Sequence, residues 1–128
     1  MRVLLIEDDP SLGTFYSRAL KRSGHEVATE VRGDDGLDTA LQSAPDVVVL
    51  DWFLPGLSGI SILKQLRASG YQNPILMLSG SGDEARHEAL EAGANAFLAK
   101  PCGLADLTNC VAMLVHRSLA RSLSAPAA

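Results

Sequence analysis

Val47-Val48-Val49-Leu50-Asp51 is an unbroken apolar run that ends on a carboxylate. Four consecutive aliphatic residues with no polar alternation suit a short strand covered by helices on both faces. Val3-Leu4-Leu5-Ile6, closed by Glu7-Asp8-Asp9, and Ile75-Leu76-Met77-Leu78, closed by Ser79, read the same way. Helical patterns lie between these runs. Such alternation is the signature of βαβ units and a parallel sheet.

Working outward, Glu26-Val27-Ala28-Thr29-Glu30-Val31 is more alternating and polar, which predicts a strand at a sheet edge. Ala96-Phe97-Leu98-Ala99 is the fifth strand and, being last, is expected at the other edge. Five helices fill the gaps. In the first, Leu12, Phe15, Tyr16, Ala19 and Leu20 form an amphipathic stripe, with Asp9 as N-cap, Pro10 at the first position and Gly24 as the stop. The second spans about Gly33 to Ser43. The third carries Ile62, Leu63 and Leu66 and stops near Gly70, and the fourth carries Ala85, Ala89, Leu90 and Ala92 and stops at Gly93. The last presents Leu104, Leu107, Val111 and Leu114 on one stripe. Residues 118–128 read as the fraying end of that helix followed by a tail or the start of a linker. The expected fold is a five-stranded α/β sandwich, one domain over residues 1–118.

Bulk properties exclude several classes. At 128 residues, 47% hydrophobic and 20% charged, the chain has enough apolar content for a core and does not read as disordered. No apolar stretch approaches the roughly 18 residues of a membrane span, and the start turns acidic too soon for a signal peptide. A cytoplasmic location is the default expectation. The two cysteines, Cys102 and Cys110, form no disulfide framework and have no histidines at zinc spacing. A net charge of −4 disfavours direct nucleic-acid binding.

In an open parallel sheet, ligands bind beyond the carboxyl ends of the strands. The residues at the end of each apolar run should therefore line the pocket. Strand one delivers Glu7, Asp8 and Asp9, strand three Asp51, strand four Ser79 and strand five Lys100. Carboxylates crowded together repel one another, so some pKa values rise unless a cation intervenes. An oxygen-rich set of this kind suits a hard cation such as Mg2+. With that charge present, Asp51 can act as a nucleophile towards phosphorus, while Lys100 and the Ser79 hydroxyl hold phosphoryl oxygens.

These stretches resemble the receiver domain of two-component response regulators over about residues 2–117. The likeness is carried by Leu4-Leu5-Ile6-Glu7-Asp8-Asp9-Pro10, by Asp51-Trp52-Phe53-Leu54-Pro55-Gly56-Leu57-Ser58-Gly59, by Leu78-Ser79-Gly80, and by Gly93-Ala94-Asn95-Ala96-Phe97-Leu98-Ala99-Lys100-Pro101. The resemblance implies a (βα)5 flavodoxin-like three-layer sandwich with strand order 2-1-3-4-5. It implies that Asp51 takes a phosphoryl group from a partner histidine kinase or phosphotransfer protein. Asp8 and Asp51 would bind Mg2+ directly, Phe53 through its backbone carbonyl and Glu7 through water. Ser79, Gly80 and Lys100 would bind the phosphoryl group, with a cis peptide at Lys100-Pro101. Phe97 would be the switch aromatic that moves with Ser79 and reshapes the surface of the fourth helix, fifth strand and fifth helix. That surface would meet an output partner, a C-terminal effector domain or a second copy of the chain.

The departures from the family pattern are specific. Ser79 stands where threonine is commoner, and Cys102 where an aromatic is usual, read as a small buried thiol. Asn95-Ala96 and Asn109-Cys110-Val111-Ala112 lack the charges of the ion-paired dimer seen in winged-helix members. Phe53 is bulky and predicts shielding of an acyl phosphate from water. Gly80-Ser81-Gly82-Asp83-Glu84-Ala85 matches a dinucleotide fingerprint but comes after the wrong strand. His25, His87 and His116 are scattered and expected at the surface. The rival class is an adaptor that keeps the fold and binds constitutively, for which the retained acids, Ser79 and Lys100 are unnecessary.

Overall fold

β3 (Val47–Asp51) and β4 (Ile75–Ser79) are buried at every position, as their uninterrupted apolar sequences predict. In the computed structural model they form the middle of one parallel sheet with β1 (Arg2–Ile6), β2 (Glu26–Glu30) and β5 (Ala96–Ala99), ordered β2-β1-β3-β4-β5. The two strands expected at the edges are the edges. Residues 1–80 and 82–124 are described, the final three by their backbone alone.

Five helices alternate with the strands: α1 (Pro10–Arg22), α2 (Gly33–Ser43), α3 (Gly59–Ala68), α4 (Asp83–Glu91) and α5 (Leu104–Ser124). The strand order and the right-handed rule for parallel crossovers together assign their sides. The chain steps from β1 outward to β2, then reverses across β1 to β3 and onward. Reversal at constant handedness sends α1 to one face and α2, α3 and α4 to the other, and α5 returns beside α1.

The side-chain period of two then divides the core in half. Leu4, Ile6, Val48, Leu50 and Met77 point to the α2–α4 layer, where they meet Ile62, Leu63 and Leu66. Val3, Leu5, Val49, Leu76 and Leu78 point the other way, to Tyr16 and Leu20 of α1 and Leu107, Val111 and Leu114 of α5. Each fully buried aliphatic side chain contributes roughly 1.5–3 kcal/mol relative to exposure.

Local signals hold at most helix ends. Asp9 accepts from the N–H groups of Ser11 at 2.9 Å and Leu12 at 3.2 Å, ahead of Pro10. Gly24, Gly70 and Gly93 stop α1, α3 and α4 with positive φ. Two helix faces differ from expectation. Phe15 is 61% exposed, whereas Ser17 is buried beside Tyr16 and Leu20. The i, i+4, i+8 line through Leu12, Tyr16 and Leu20 faces the sheet, and Phe15 lies about 100° around the helix from Tyr16. It lines an open cleft with Leu12 and Leu104 instead. Leu90 likewise points outward at 40% exposure, because α4 meets the sheet only through Ala85 and Ala89. α5 is helical through Ser124, so residues 118–124 continue the helix, and the rest of the expected tail lies outside the described residues. No described helix is long and apolar enough to cross a membrane.

Candidate functional site

The reversal of strand order between β1 and β3 opens a crevice at their carboxyl ends, and both strands end there in acids. Asp51 is the last residue of β3 and is 5% exposed. Glu7 comes directly after β1 and keeps its strand pairing for one more step, its N–H donating to the Glu30 carbonyl at 3.0 Å. That extra step turns its carboxylate inward, where it is buried. Asp8 is exposed at the rim and Asp9 is spent on capping α1. Oxygens of Glu7, Asp8 and Asp51 all lie within 4.8 Å of one another.

From the other side β5 ends at Ala99, and the next N–H, that of Lys100, donates to the Ser79 carbonyl at 2.8 Å. The Lys100-Pro101 peptide is cis. The Lys100 ammonium donates to Asp51 Oδ2 at 2.8 Å and to the two Glu7 oxygens at 3.2 and 3.1 Å. Ser79 is fully buried at the end of β4. Phe97 is buried among Ala85 and Ala89 of α4. Gly80 has open space around its Cα, and the Phe53 side chain is 65% exposed. Gly59 brings α3 close: a Cβ there would collide with the Asp51 carbonyl oxygen, and its N–H donates to the Trp52 carbonyl at 2.7 Å.

Crowding sets the electrostatics. Burial first, then the hydrogen bond and negative charge of Asp51, push the Glu7 carboxyl up to about 7, against the pull of Lys100. Burial works to lower the Lys100 pKa, but its hydrogen bonds to Asp51 and Glu7 outweigh that and raise it. One ammonium thus faces two carboxyl groups, and that of Glu7 is half-protonated near neutrality. The cluster is a place where a further cation would be welcome.

Sequence reasoning missed two neighbours of this site. The Tyr16 hydroxyl lies 3.7 Å from Cys102 Sγ, and burial, then that contact, raises its pKa to about 12. Cys102 is half-buried rather than fully enclosed. His25 also departs from a surface reading: it is half-buried, burial lowers its pKa, and its Nδ1 has no hydrogen-bond partner. No local pattern marks the Tyr16–Cys102 contact, which joins residues 86 positions apart.

Residues 3–112 match the model of the response regulator receiver domain. The chain belongs to this family. Among its relatives, this receiver is 41% identical over 117 residues to the transcriptional regulatory protein PrrA of Mycobacterium tuberculosis, covering 91% of the chain and 50% of that protein. It is 36% identical over 118 residues to the alkaline phosphatase synthesis transcriptional regulatory protein PhoP of Bacillus subtilis, covering 91% and 49%. The chain spans about half the length of these relatives. Its fold superposes with a TM-score of 0.88 on the receiver domain of Francisella response regulator 1452, at 30% identity over 91% of this chain and 98% of that one. The BeF3-activated N-terminal receiver domain of Klebsiella pneumoniae RstA gives 0.84 at 30% identity, over 90% and 98%. The receiver is a regulatory signalling domain of two-component systems.

Proposed function

We propose that this receiver is a phosphorelay switch in which Asp51 accepts a phosphoryl group from the phosphohistidine of a partner kinase or phosphotransfer protein in the cytoplasm. The observation that carries the reading is one set of distances. The Asp51 carboxylate is 2.8 Å from the Lys100 ammonium and shares a 4.8 Å cluster with Glu7 and Asp8. An Asp51 oxygen attacks phosphorus as the phosphorus–nitrogen bond of the donor breaks, the imidazole leaves with the electron pair and takes a proton, and an acyl phosphate forms.

The donor set fits magnesium. Three carboxylates are within reach of one point, and a dication there would favour the charged form of Glu7 that burial and Asp51 disfavour. Asp8 and Asp51 would hold the ion directly, with the Phe53 carbonyl, and Glu7 through water. When bound, magnesium supplies positive charge that neutralises the transferring group. Lys100 binds one phosphoryl oxygen, and the Ser79 hydroxyl and Gly80 N–H bind others.

The new charge at Asp51 draws Ser79 towards it and frees space for Phe97 to rotate. α4, β5 and α5 then present a different surface, on which Leu90 and Met113 are already exposed. The relatives are transcriptional regulatory proteins about twice as long. By that analogy the surface acts on an effector domain, a separate output protein or a second receiver.

The test is incubation with Mg2+ and acetyl phosphate, with intact mass as the readout. A gain of one phosphoryl group, lost in Asp51→Ala, supports the switch. No gain supports an adaptor that binds constitutively.

A further inference from the structure

α2 begins without a side-chain cap. Its N-cap position is Arg32, which makes no capping hydrogen bond, yet the first N–H groups of a helix need acceptors. The β3–α3 loop supplies one, for the Gly33 N–H donates to the Pro55 carbonyl at 2.8 Å. That approach requires residue 33 to lack a side chain. A Cβ there would collide with the Leu57 carbonyl oxygen and lie 3.1 Å from Ile62 Cδ1. From the loop side, Gly56 has a positive φ of 84°, and a Cβ on it would press on the Asp34 carboxylate and the Arg32 guanidinium. Those two groups are themselves paired at 3.1 Å. The first turn of α2 and the segment Pro55–Leu57 therefore interlock.

This interlock constrains the loop carbonyls. Trp52 gives its carbonyl to the Gly59 N–H at 2.7 Å, and Pro55 gives its own to Gly33. The Phe53 carbonyl lies between these two fixed points. We propose that Gly33 is a positioning residue for the metal site, docking Pro55–Leu57 on α2 and so fixing the path of the loop that carries the Phe53 carbonyl. This rests on the magnesium reading above and extends it to a residue that touches neither the ion nor the phosphoryl group.

The test is Mg2+ binding to the unphosphorylated chain, read by the fluorescence of Trp52, the single tryptophan, half-buried next to Asp51. Gly33→Ala is expected to weaken Mg2+ binding about tenfold, the scale on which groups that orient metal ligands act. Leu114→Ala is the control, a core deletion within α5 on the opposite face of the sheet. It should lower the melting temperature and leave Mg2+ affinity within about twofold. Equal weakening in both variants, or wild-type affinity in Gly33→Ala, overturns the proposal. Should Gly33→Ala fail to fold, Asp34→Ala removes the carboxylate packed beside Gly56 without adding atoms and is expected to weaken binding about threefold; unchanged affinity there overturns the proposal too. Amide exchange of Phe53, Leu54, Gly56 and Leu57 in the metal-free chain is the second readout. Faster exchange in the folded Gly33 or Asp34 variant supports the docking role, and unchanged exchange sinks it whatever the ion does. A wild-type chain that binds no Mg2+ instead removes the functional reading on which the proposal rests.

Discussion

The Lys100 ammonium bridges Asp51 at 2.8 Å and Glu7 at 3.1 Å, joining the ends of β5, β3 and β1 through a single side chain. Its side chain is 19% exposed, whereas the two carboxylates are almost fully buried. It therefore sits as a stopper between the acids and solvent, and as the only cation hydrogen-bonded to them among the described residues.

Lys100→Met should separate two roles of that ammonium. With the competing cation gone, Mg2+ should bind more tightly. Phosphoryl uptake should nevertheless slow by about 10²–10³-fold, the usual loss when one charge-stabilising donor is removed. A time course of intact mass with acetyl phosphate checks this, and uptake at the wild-type rate would exclude a role for Lys100 in transfer.

Glu7→Gln addresses the raised carboxyl. Its folded pKa of about 7 exceeds the ordinary value of 4.5, so the unfolded chain loses this proton first as pH rises. The stabilisation is complete below about pH 4.5 and fades as pH climbs through 7, a difference on the order of 3 kcal/mol. In chelator, the wild type should lose stability to urea across that window and Glu7→Gln should be flatter. Parallel pH profiles would contradict the assignment.

Phe53 stands two residues beyond Asp51 with most of its side chain exposed. If the ring shields an acyl phosphate, Phe53→Asn should shorten the phosphorylated half-life severalfold, about the effect of admitting water to a partly closed site. Loss of phosphoprotein is tracked by mass after the donor is removed. An unchanged decay rate counts against shielding.

Arg67 binds together the end of the sheet remote from the acids. Its guanidinium donates to the carbonyls of Gly93 at 3.0 Å, Tyr71 at 2.6 Å and Asn73 at 2.9 Å, and to Asn95 Oδ1 at 2.8 Å. Arg67→Met takes this donor from the three carbonyls, while Asn95 Oδ1 keeps the Ile75 N–H at 2.9 Å, and should destabilise the fold by about 2–4 kcal/mol. Arg67→Lys should recover little, because a point charge cannot reproduce the fork. Urea denaturation measures both, and a change below about 0.5 kcal/mol would make the network incidental.

Much of the fold and of the site is legible in the residues alone, and for a definite reason. Where an apolar run such as Val47–Leu50 stops, the strand ends within one residue, so the first polar residue falls at the crevice. That logic locates Asp51, Ser79 and Lys100 directly. It cannot rank Glu7, Asp8 and Asp9, because their burial depends on one more hydrogen bond to Glu30 of the neighbouring strand. Helix faces are the weak point. Phe15 and Leu90 sit at the borders of apolar stripes, and only the seating of α1 and α4 against the sheet decides which way a border residue turns. The Gly33 contact is invisible for a related reason: it joins backbone to backbone across segments far apart in sequence.

α4 touches the sheet through Ala85 and Ala89, two methyl groups, while its remaining residues face water. A helix seated on so little apolar area has almost no vote in how the molecule folds. Its outward residues can therefore be rewritten with little disturbance of the acid cluster at the sheet's rim.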